Sequence, residues 1–272
     1  MKSVIVIPAR LNSTRLPRKL LLNETGKSLL RHTYESASKS RKSERVIVAA
    51  DDPEIVAEVE SFGGTALLTD PDHVCGTDRI AEVALKLTDY DLFINVQGDE
   101  PEISADAIDL AIEILEQAED SQANGANTVA SAQPVMMSTL ATPIVSRSQL
   151  EDPNCVKVVI DANGRAMYFS RSPIPHPRTW SDSLLEHEPD HSGGPTQPAN
   201  FLQHVGLYGY RRDFLLKIPS LPVPLMERIE SLEQLRVLHS GFPIKVGIID
   251  HPITGIDTAE DYAAFVKRAS NR

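Results

Sequence analysis

The sequence predicts an α/β fold in which a mainly parallel central sheet is covered by helices on both faces. The first observation behind this prediction is the alternation of short apolar runs with helical patterns through the first half of the 272-residue chain, which is typical of parallel sheets. The second is the β-branched composition of the first run, as expected of a strand buried on both faces. The second half of the chain is less regular and predicts a mixed extension of the sheet.

Predicted strands and helices alternate in the first half of the chain. The strands are expected at residues 3–7, 45–50 and 91–96, each of which is a short apolar run. The helices are expected at residues 29–39, 53–62, 78–87 and 105–118. In the last of these, apolar side chains recur at intervals of three and four residues. Gly63 and Gly64 follow the second helix and mark its end.

The second half of the chain predicts further strands, one helix and one long loop. The strands are expected at residues 128–133, 155–161, 166–170, 203–210 and 244–249. Residues 226–238 have the pattern of a strong amphipathic helix. Residues 173–198 are dense in proline, glycine, serine and histidine, which predicts a long surface loop of the kind that is usually functional or mobile.

Length and charge restrict the kind of protein that this chain can be. With 272 residues, of which 41% are hydrophobic, it can bury one large core, so we expect a single domain over residues 1–272. The formal net charge of −11 disfavours nucleic acid as a partner, because proteins that bind it usually carry a positive field. An acidic protein that binds a phosphorylated ligand must concentrate positive charge locally or recruit a metal ion.

The sequence also predicts a cytoplasmic protein without membrane association. Its apolar runs are far shorter than the roughly 20 residues that cross a bilayer. The first residues lead directly into a predicted strand and lack the apolar region and cleavage site of a secretory signal. Cys75 and Cys155 are far apart in sequence, so their spacing predicts reduced thiols and neither a disulfide framework nor a zinc site.

A loop rich in basic residues follows the first predicted strand. Residues 8–20 carry four cationic and three small polar side chains. In open α/β sheets, ligands bind beyond the carboxyl ends of the strands. Arginine can grip phosphate oxygens in bidentate fashion, and lysine adds a compact charge. The loop therefore predicts a triphosphate site, and the alternative is a solvated loop of positive charge.

Two acidic motifs also follow predicted strands. Asp99 lies in NVQGDEP at residues 95–101, where it would be a hard oxygen ligand for Mg²⁺ and Gly98 would permit a close approach of the backbone to a nucleotide. The alternative is a simple Gly-Asp turn. Asp257 lies at a strand-to-helix junction, where it is either a second metal ligand or, like Thr258, a candidate helix cap.

Taken together, these motifs resemble those of a known enzyme family. The segments PARLNSTRLPRKL at 8–20, GTDR at 76–79 and NVQGDEP at 95–101 resemble the amino-terminal part of cytidylyltransferases that activate acidic sugars. Later segments resemble the 3-deoxy-manno-octulosonate (Kdo) cytidylyltransferase family, namely PNCVKVV at 153–159, YFSR at 168–171, HVGLYGY at 204–210, ESLEQLRVL at 230–238 and GIDT at 255–258. The resemblance spans nearly the whole chain and keeps its order.

The resemblance implies a fold, a reaction and an assembly. The fold is a Rossmann-like three-layer nucleotidyltransferase fold, with a nucleotide-binding half at about 1–135 and a sugar-binding and dimerisation half at about 136–272. The substrates are CTP and Kdo, and the products are CMP-Kdo, for lipopolysaccharide biosynthesis, and pyrophosphate. The resemblance further implies Mg²⁺ as the cofactor and a homodimer as the assembly.

The resemblance also implies roles for individual residues. Those matched to catalysis, with the two aspartates as Mg²⁺ ligands, are Arg10, Arg15, Lys19, Asp99 and Asp257. Those matched to substrate binding, with Ser13 in the triphosphate loop and Gln97 near the cytidine, are Ala9, Ser13, Gly76, Thr77 and Gln97. Those matched to the pocket for the sugar acid are Arg79, Arg171, His204, Tyr208, Glu233 and Gln234. Cys75 and Asp78 depart from the family pattern.

Simpler interpretations and other functions remain open on sequence alone. His204 fits a half-buried strand histidine, Arg171 an ordinary surface charge, and Glu233 with Gln234 the polar face of a helix. The competing functions are a cytidylyltransferase for another acid such as sialic acid, a glycosyltransferase with a similar sheet, and a non-catalytic nucleotide-binding module. The segments at 204–210 and 230–238 favour Kdo, and the presence of both Asp99 and Asp257 argues against a mere binder.

Overall fold

The computed structural model of the chain describes residues 1–13, 15–73, 75–123, 134–186 and 199–270. The strands are β1 Ser3–Ala9, β2 Arg45–Ala50, β3 Ala66–Leu68, β4 Leu92–Asn95, β5 Met137–Pro143, β6 Lys157–Ile160, β7 Ala166–Ser170, β8 Leu202–Arg211 and β9 Ile244–Ile248. The helices are α1 Leu29–Ala37, α2 Pro53–Ser61, α3 Gly76–Lys86, α4 Ala105–Ala123, α5 Arg147–Glu151, α6 Arg212–Lys217, α7 Leu225–Glu230, α8 Gln234–His239 and α9 Ala259–Ala269. Short 3₁₀ turns lie at Lys19–Leu21, Asp182–Leu185 and Ile218–Ser220.

The chain forms two compact units, and each is made from separate stretches of sequence. The first unit comprises Met1–Glu116, Leu207–Pro219 and Ile253–Arg272. The second comprises Gln117–Gly206 and Ser220–Pro252. Strand β8 begins in the second unit and ends in the first, so it contributes to both.

The first unit is built on a parallel sheet with β1 near its centre. The strands follow in the order β3, β2, β1 and β4, and all three of these pairings are parallel. Ile5 lies opposite Val46 on one side and Ile94 on the other. The antiparallel partner of β4 is the last part of β8, where Asn95 lies opposite Tyr208. The fully buried side chains of β1 account for its continuous apolar sequence.

Capping residues that are visible in the sequence mark the starts of the helices around this sheet. The side chain of Ser28 accepts a hydrogen bond from the backbone N–H of Arg31 at the start of α1. Asp52 does the same for Glu54 at the start of α2, where Pro53 occupies the first turn. Such caps satisfy backbone donors that the helix itself cannot pair. Helix α2 therefore starts directly after β2, whereas α1 starts only after the long loop that follows β1.

The second unit combines a parallel and an antiparallel arrangement. Strands β5 and β9 pair in parallel, with Met137 opposite Ile244. Strand β6 pairs antiparallel with β7 and with the start of β8, so that Lys157 lies opposite both Ser170 and Gln203. A separate apolar cluster joins α5 to the segments beside it through Ile144, Leu150, Cys155 and Phe201.

The structure confirms the predicted α/β class with a mostly parallel sheet and added antiparallel strands. The elements predicted for the first half all appear, within a few residues of their expected ends. Strands β3 and β5 and the short helices α5 and α6 were not predicted. The predicted strand at 128–133 lies outside the described residues, as do residues 187–198 of the predicted loop. In the part of the chain that is described, no helix is long and apolar enough to cross a bilayer.

The predicted helix at 226–238 is wrong. Two short helices, α7 and α8, replace it, because Ser231 adopts a left-handed backbone conformation with φ of 52°. That conformation is costly for a residue with a Cβ atom and ends a right-handed helix. As a consequence, Glu233 is exposed and Gln234 is buried at the start of α8.

Candidate active site

The basic loop after β1 is anchored at both ends. Near its beginning, the backbone N–H of Leu11 donates to Oδ1 of Asp51 over 2.9 Å, and Asp51 directly follows β2. Near its end, Arg18 has a φ of 54°, and the 3₁₀ turn that follows buries Lys19 and Leu20. The loop therefore presents its cationic side chains from a fixed position beside the carboxyl ends of the strands.

Gly98 lies where the segment after β4 passes close to this loop. A Cβ atom at this position would lie 3.2 Å from the carbonyl oxygen of Pro8 and 3.3 Å from the side chain of Leu20. A larger residue would require these neighbours to shift by a few tenths of an ångström, so glycine suits this position. The close approach that Gly98 permits is thus to the end of β1, and it carries the next residue, Asp99, to the loop.

Two carboxylates and two cations meet beside the loop. Nζ of Lys19 lies 2.5 Å from Oδ2 of Asp99 and 3.2 Å from Oδ1 of Asp257. Nη1 of Arg15 lies 3.1 Å from the other oxygen of Asp257. A backbone hydrogen bond from Ile256 to the carbonyl of Asp99, 2.9 Å long, holds the two acidic segments side by side. Four of the five residues matched to catalysis therefore form one cluster.

The neighbouring carboxyl groups of Asp99 and Glu100 lie in different environments. Glu100 is buried, whereas Asp99 keeps part of its side chain accessible to solvent. Burial, together with the adjacent charge of Asp99, raises the pKa of Glu100 to about 8. Glu100 thus carries a proton at neutral pH, and Asp99 is the residue whose carboxylate contacts Lys19.

The arrangement of Asp99 and Asp257 fits a small divalent cation. Both carboxylates lie within reach of a single ammonium group, so a cation between them has hard oxygen donors on two sides. Within the described ranges, no group of three or more His, Cys, Asp and Glu side chains is placed to hold a metal ion. Two carboxylates completed by substrate oxygens and water are what Mg²⁺ commonly uses.

Asp257 does not cap the helix that follows it. The side chain of Thr258 accepts from the backbone N–H of Asp261, and the carboxylate of Asp261 accepts from the backbone N–H of Thr258. This reciprocal pair is a capping box. Asp257 therefore keeps both carboxylate oxygens for Lys19 and Arg15, and the helix-cap interpretation applies to its neighbour instead.

Replacement of Thr258 by alanine is expected to lower the free energy of unfolding by about 1 kcal/mol, because the side-chain half of the capping box is lost. Urea denaturation followed by circular dichroism measures the change. Thr258→Ser keeps the hydroxyl and is expected to stay close to the wild-type value. Equal losses in the two variants would contradict the capping role.

Arg79 is a buried cation in the first unit with unused donors. It lies in the first turns of α3, where its Nη1 donates to Oγ1 of Thr69 over 2.5 Å. Its Nε and Nη2 are buried and have no hydrogen-bond partner among the described residues. Burial lowers the pKa of Arg79, against the opposing charge of Asp51, and Arg10 is among the nearby cations. A buried donor without an acceptor is costly, so this position is suited to a polar ligand.

Arg10 and the residues matched to substrate binding outside the sugar-acid pocket also lie in the first unit. Nη2 of Arg10 donates to the carbonyl of His73 over 3.0 Å. Gln97 directly follows the residue after β4, and its Nε2 lies 3.4 Å from Oδ1 of Asn95. Ala9 and Thr77 are buried, and Ser13 and Gly76 are partly exposed. Asp51 was missed by sequence reasoning, although its position directly after a strand was a signal of the same kind.

The second unit holds four of the six residues that the resemblance matched to the sugar-acid pocket, namely Arg171, His204, Glu233 and Gln234. His204 lies edge-on to Phe169, with ring centres 4.9 Å apart, and its Nε2 is 3.0 Å from Oγ1 of Thr139. Burial lowers the pKa of His204 to about 3. The imidazole is therefore neutral at pH 7 and can act as a hydrogen-bonding group.

Gln234 has a donor that the described part of the chain leaves unused. Its side chain is buried, and its Nε2 has no partner among the described residues. Glu233, by contrast, is exposed. Tyr208 lies on the part of β8 that belongs to the first unit, tilted against Tyr210 at 6.0 Å between ring centres. Of these residues, Gln234 has the clearest mark of a ligand contact.

Known proteins match this chain over its whole length. A family model described as Cytidylyltransferase matches residues 4–246. A 3-deoxy-manno-octulosonate cytidylyltransferase of Rhodopirellula baltica is 48% identical over 273 residues, which cover 100% of both chains. A protein of the same name from Geotalea uraniireducens is 45% identical and covers 98% of this chain and 99% of its own.

Solved structures match as well. A CMP:2-keto-3-deoxy-manno-octonic acid synthetase complexed with CTP is 36% identical, with a TM-score of 0.82 and coverage of 100% of this chain and 99% of that one. A cytidylyltransferase from Leptospira borgpetersenii is 17% identical, with a TM-score of 0.58 and coverage of 100% and 88%. The second match concerns the fold alone.

Proposed function

The chain belongs to the cytidylyltransferase family, and we propose that it transfers CMP from CTP to the anomeric hydroxyl of Kdo, which gives CMP-Kdo and pyrophosphate. The observation that carries this proposal is the cluster of Arg15, Lys19, Asp99 and Asp257. It lies in a chain whose full length matches proteins named for this reaction. Cations for a triphosphate and carboxylates for a metal ion thus lie at one edge of the sheet.

The test is a pyrophosphate-release assay with CTP and a panel of acceptor sugars. Release that depends on Kdo and is far slower with sialic acid and with neutral sugars supports the proposal. Release with sialic acid alone would identify the other acid-sugar reaction. With a nucleotide sugar in place of CTP, release of CMP or UDP would instead identify a glycosyltransferase. UTP in place of CTP tests the selection of the base.

The reaction brings two anions together, so the principal task of the site is to neutralise charge and fix positions. The anomeric hydroxyl gives up its proton to solvent as its oxygen attacks the α-phosphorus, the bond from that phosphorus to the bridging oxygen breaks, and pyrophosphate leaves with the electron pair of that bond. We propose that Arg15 and Lys19 exchange their carboxylate contacts for phosphate oxygens when CTP binds. Both cations then stabilise the negative charge that builds on the leaving group.

We propose Mg²⁺ as the cofactor, held by Asp99 and Asp257. When bound, the ion supplies Lewis-acid chemistry, which polarises phosphate oxygens and lowers the pKa of a coordinated hydroxyl. The exchange of partners at Lys19 leaves both carboxylates with free oxygens when the triphosphate is in place. The chain's own part is therefore to provide two carboxylates on adjoining segments and to pair them with Lys19 until CTP arrives.

We propose that the sugar acid contacts Arg171, His204 and Gln234 in the second unit. An arginine suits the carboxylate of the sugar acid. The neutral imidazole of His204 can donate or accept, and the unused Nε2 of Gln234 can donate to a hydroxyl. Glu233 and Tyr208 remain candidates from the resemblance. Arg79 lies in the first unit, where Asp51 and Arg10 are among the charged groups near it.

Replacement of Gln234 by alanine is expected to raise the KM for Kdo roughly tenfold or more and to leave the KM for CTP nearly unchanged, because a hydrogen bond to the sugar is lost. Steady-state kinetics with each substrate varied in turn measures both values. Gln149→Ala is the matched control, since Gln149 is a partly buried amide of the same unit that donates to Gln203. Equal losses for CTP and Kdo in Gln234→Ala would contradict the assignment.

We further propose a homodimer that acts in the cytoplasm and supplies lipopolysaccharide biosynthesis. The support for a dimer is the apolar surface of α7, where Leu225 and Ile229 are 70% and 72% exposed. Exposed apolar side chains that lie close together often mark a protein interface. Light scattering after gel filtration determines the assembly, and a monomer at assay concentrations would refute this part of the proposal.

A further inference from the structure

Arg171 is held at its backbone and at its side chain. Its backbone N–H donates to Oε2 of Glu230 over 2.9 Å, and its backbone carbonyl accepts from Nζ of Lys157 over 2.8 Å. Its Nε donates to the carbonyl of Glu230 over 2.7 Å, and its Nη1 donates to the carbonyl of Pro153 over 3.0 Å. Four hydrogen bonds therefore fix Arg171.

The partners of the guanidinium group orient it without neutralising it. Nε and Nη1 both donate to backbone carbonyls, which are neutral acceptors. Within the described residues, no carboxylate forms an ion pair with Arg171, and Nη2 has no hydrogen-bond partner. The positive charge of Arg171 is therefore fixed in direction and left available for an anionic ligand, as pre-organised binding sites require.

Glu230 makes two of the four contacts that hold Arg171. Besides Arg171, its carboxylate accepts from Oγ of Ser170 over 2.6 Å. Ser170 is buried at the end of β7, so the carboxylate fixes the end of the strand from which Arg171 extends. The carboxylate thus acts on backbone and hydroxyl groups, while the carbonyl of the same residue receives the guanidinium.

Lys157 also holds Arg171, through the backbone carbonyl of the arginine. Its side chain is fully buried, and its Nζ donates to the carbonyl of Asp152 over 2.7 Å as well as to that of Arg171. The first of these bonds holds the turn that presents the carbonyl of Pro153 to the guanidinium. Burial lowers the pKa of Lys157. Glu230, in turn, is the last residue of α7 and lies four positions before Gln234.

We infer that Glu230 is a positioning residue for the sugar acid: it holds Arg171 so that Nη2 faces the substrate carboxylate, and it links this arginine to Gln234 through the turn at Ser231. The inference rests on the proposed function, because it assigns the anion to the acceptor sugar. Glu230 itself need not touch the substrate. Its role is to fix the arginine that does.

The test is a double-mutant cycle with Kdo and CTP varied separately. Glu230→Ala is expected to raise the KM for Kdo about tenfold, while the KM for CTP stays within about twofold, because the carboxylate that fixes the backbone of Arg171 and the end of β7 is lost, although the carbonyl of residue 230 still accepts from Nε. Glu230→Gln keeps an acceptor oxygen and a donor for Ser170 and is expected to recover most of the affinity. In an Arg171→Ala background, Glu230→Ala is expected to add little, since the group through which it acts is gone.

Glu151→Ala is the matched control in the same unit. Glu151 pairs with Arg147 over 2.7 Å on an exposed surface, so its loss removes a carboxylate–arginine contact without touching the network. Its kinetic constants are expected to equal those of the wild-type protein. If Glu230→Ala does not fold, the cycle with Glu230→Gln replaces it, with a smaller rise of about threefold in the KM for Kdo.

The outcomes separate this inference from the function on which it rests. Wild-type protein that releases no pyrophosphate with CTP and Kdo would overturn both. A wild-type enzyme that is active with Kdo, combined with additive losses from Glu230→Ala and Arg171→Ala, would overturn the positioning role alone. Equal losses for CTP and Kdo in Glu230→Ala would do the same, because they indicate a general loss of structure.

Discussion

Replacement of Asp99 by asparagine is expected to lower kcat for CMP transfer about 100-fold or more, while the protein stays folded. The side chain keeps its size but loses the charge that would hold a metal ion. Stabilisation by a bound metal ion is worth several kcal/mol, and about 1.4 kcal/mol corresponds to a factor of ten in rate. Asp257→Asn is expected to act in the same direction, because both carboxylates contact one cation.

Three measurements make this expectation specific. Titration of Mn²⁺ by calorimetry should show weaker binding in both variants, independently of turnover. The double variant should lose little more than either single variant, because residues that act as a unit are not additive. Asp106→Asn is the control, since its carboxylate is exposed and pairs with Arg41. Near-normal turnover of Asp99→Asn at moderate Mg²⁺ would contradict the metal assignment.

The parts of the fold that could be predicted from sequence are those specified by local signals. Strand β1 is a continuous apolar run because it is buried between β2 and β4. Helix α2 has Asp52 as its cap and Pro53 in its first turn, and both are visible in the sequence. The position of the basic loop and of Asp99 also followed, because each comes directly after a strand of a parallel sheet.

The parts that could not be predicted depend on contacts between distant segments. Strand β3 has only three residues, too few for a pattern. Strand β5 mixes small and polar residues, and only its tertiary surroundings bury them. The apolar spacing of 226–238 is compatible with one helix, and the left-handed conformation of Ser231 becomes apparent only in the structure. The sequence likewise offers no sign that Glu230 holds Arg171 across 59 residues.

The contacts of Lys19 illustrate the same limit at the candidate site. Sequence reasoning assigned Lys19 to phosphate and Asp99 to metal, and no spacing rule connects two residues 80 positions apart. In the structure the ammonium group of Lys19 contacts the carboxylate of Asp99, so the two charges form an ion pair. This contact indicates that the cationic loop balances the acidic pair before substrates bind, and it makes Lys19 a sensitive position for mutation.

Replacement of Lys19 by methionine is expected to lower kcat/KM for CTP about 10-fold to 100-fold and, in the absence of divalent ions, to lower stability by about 1–3 kcal/mol. The first effect follows from the loss of a charge-assisted hydrogen bond to phosphate. The second follows because Asp99 and Asp257 would lose the cation between them. The loss of stability stays below that of a fully buried pair, since Asp257 is 47% exposed and keeps Arg15.

The decisive measurement is the melting temperature of Lys19→Met with and without Mg²⁺. A divalent ion that binds between the two carboxylates stabilises the folded state by an amount that increases with its affinity, and this affinity should rise when the competing ammonium is removed. Mg²⁺ is therefore expected to raise the melting temperature of the variant more than that of the wild-type protein. Lys27→Met is the matched control, because Lys27 pairs with Glu35 on the surface of the same unit. An equal response to Mg²⁺ in all three proteins would contradict a shared cation site at Asp99 and Asp257.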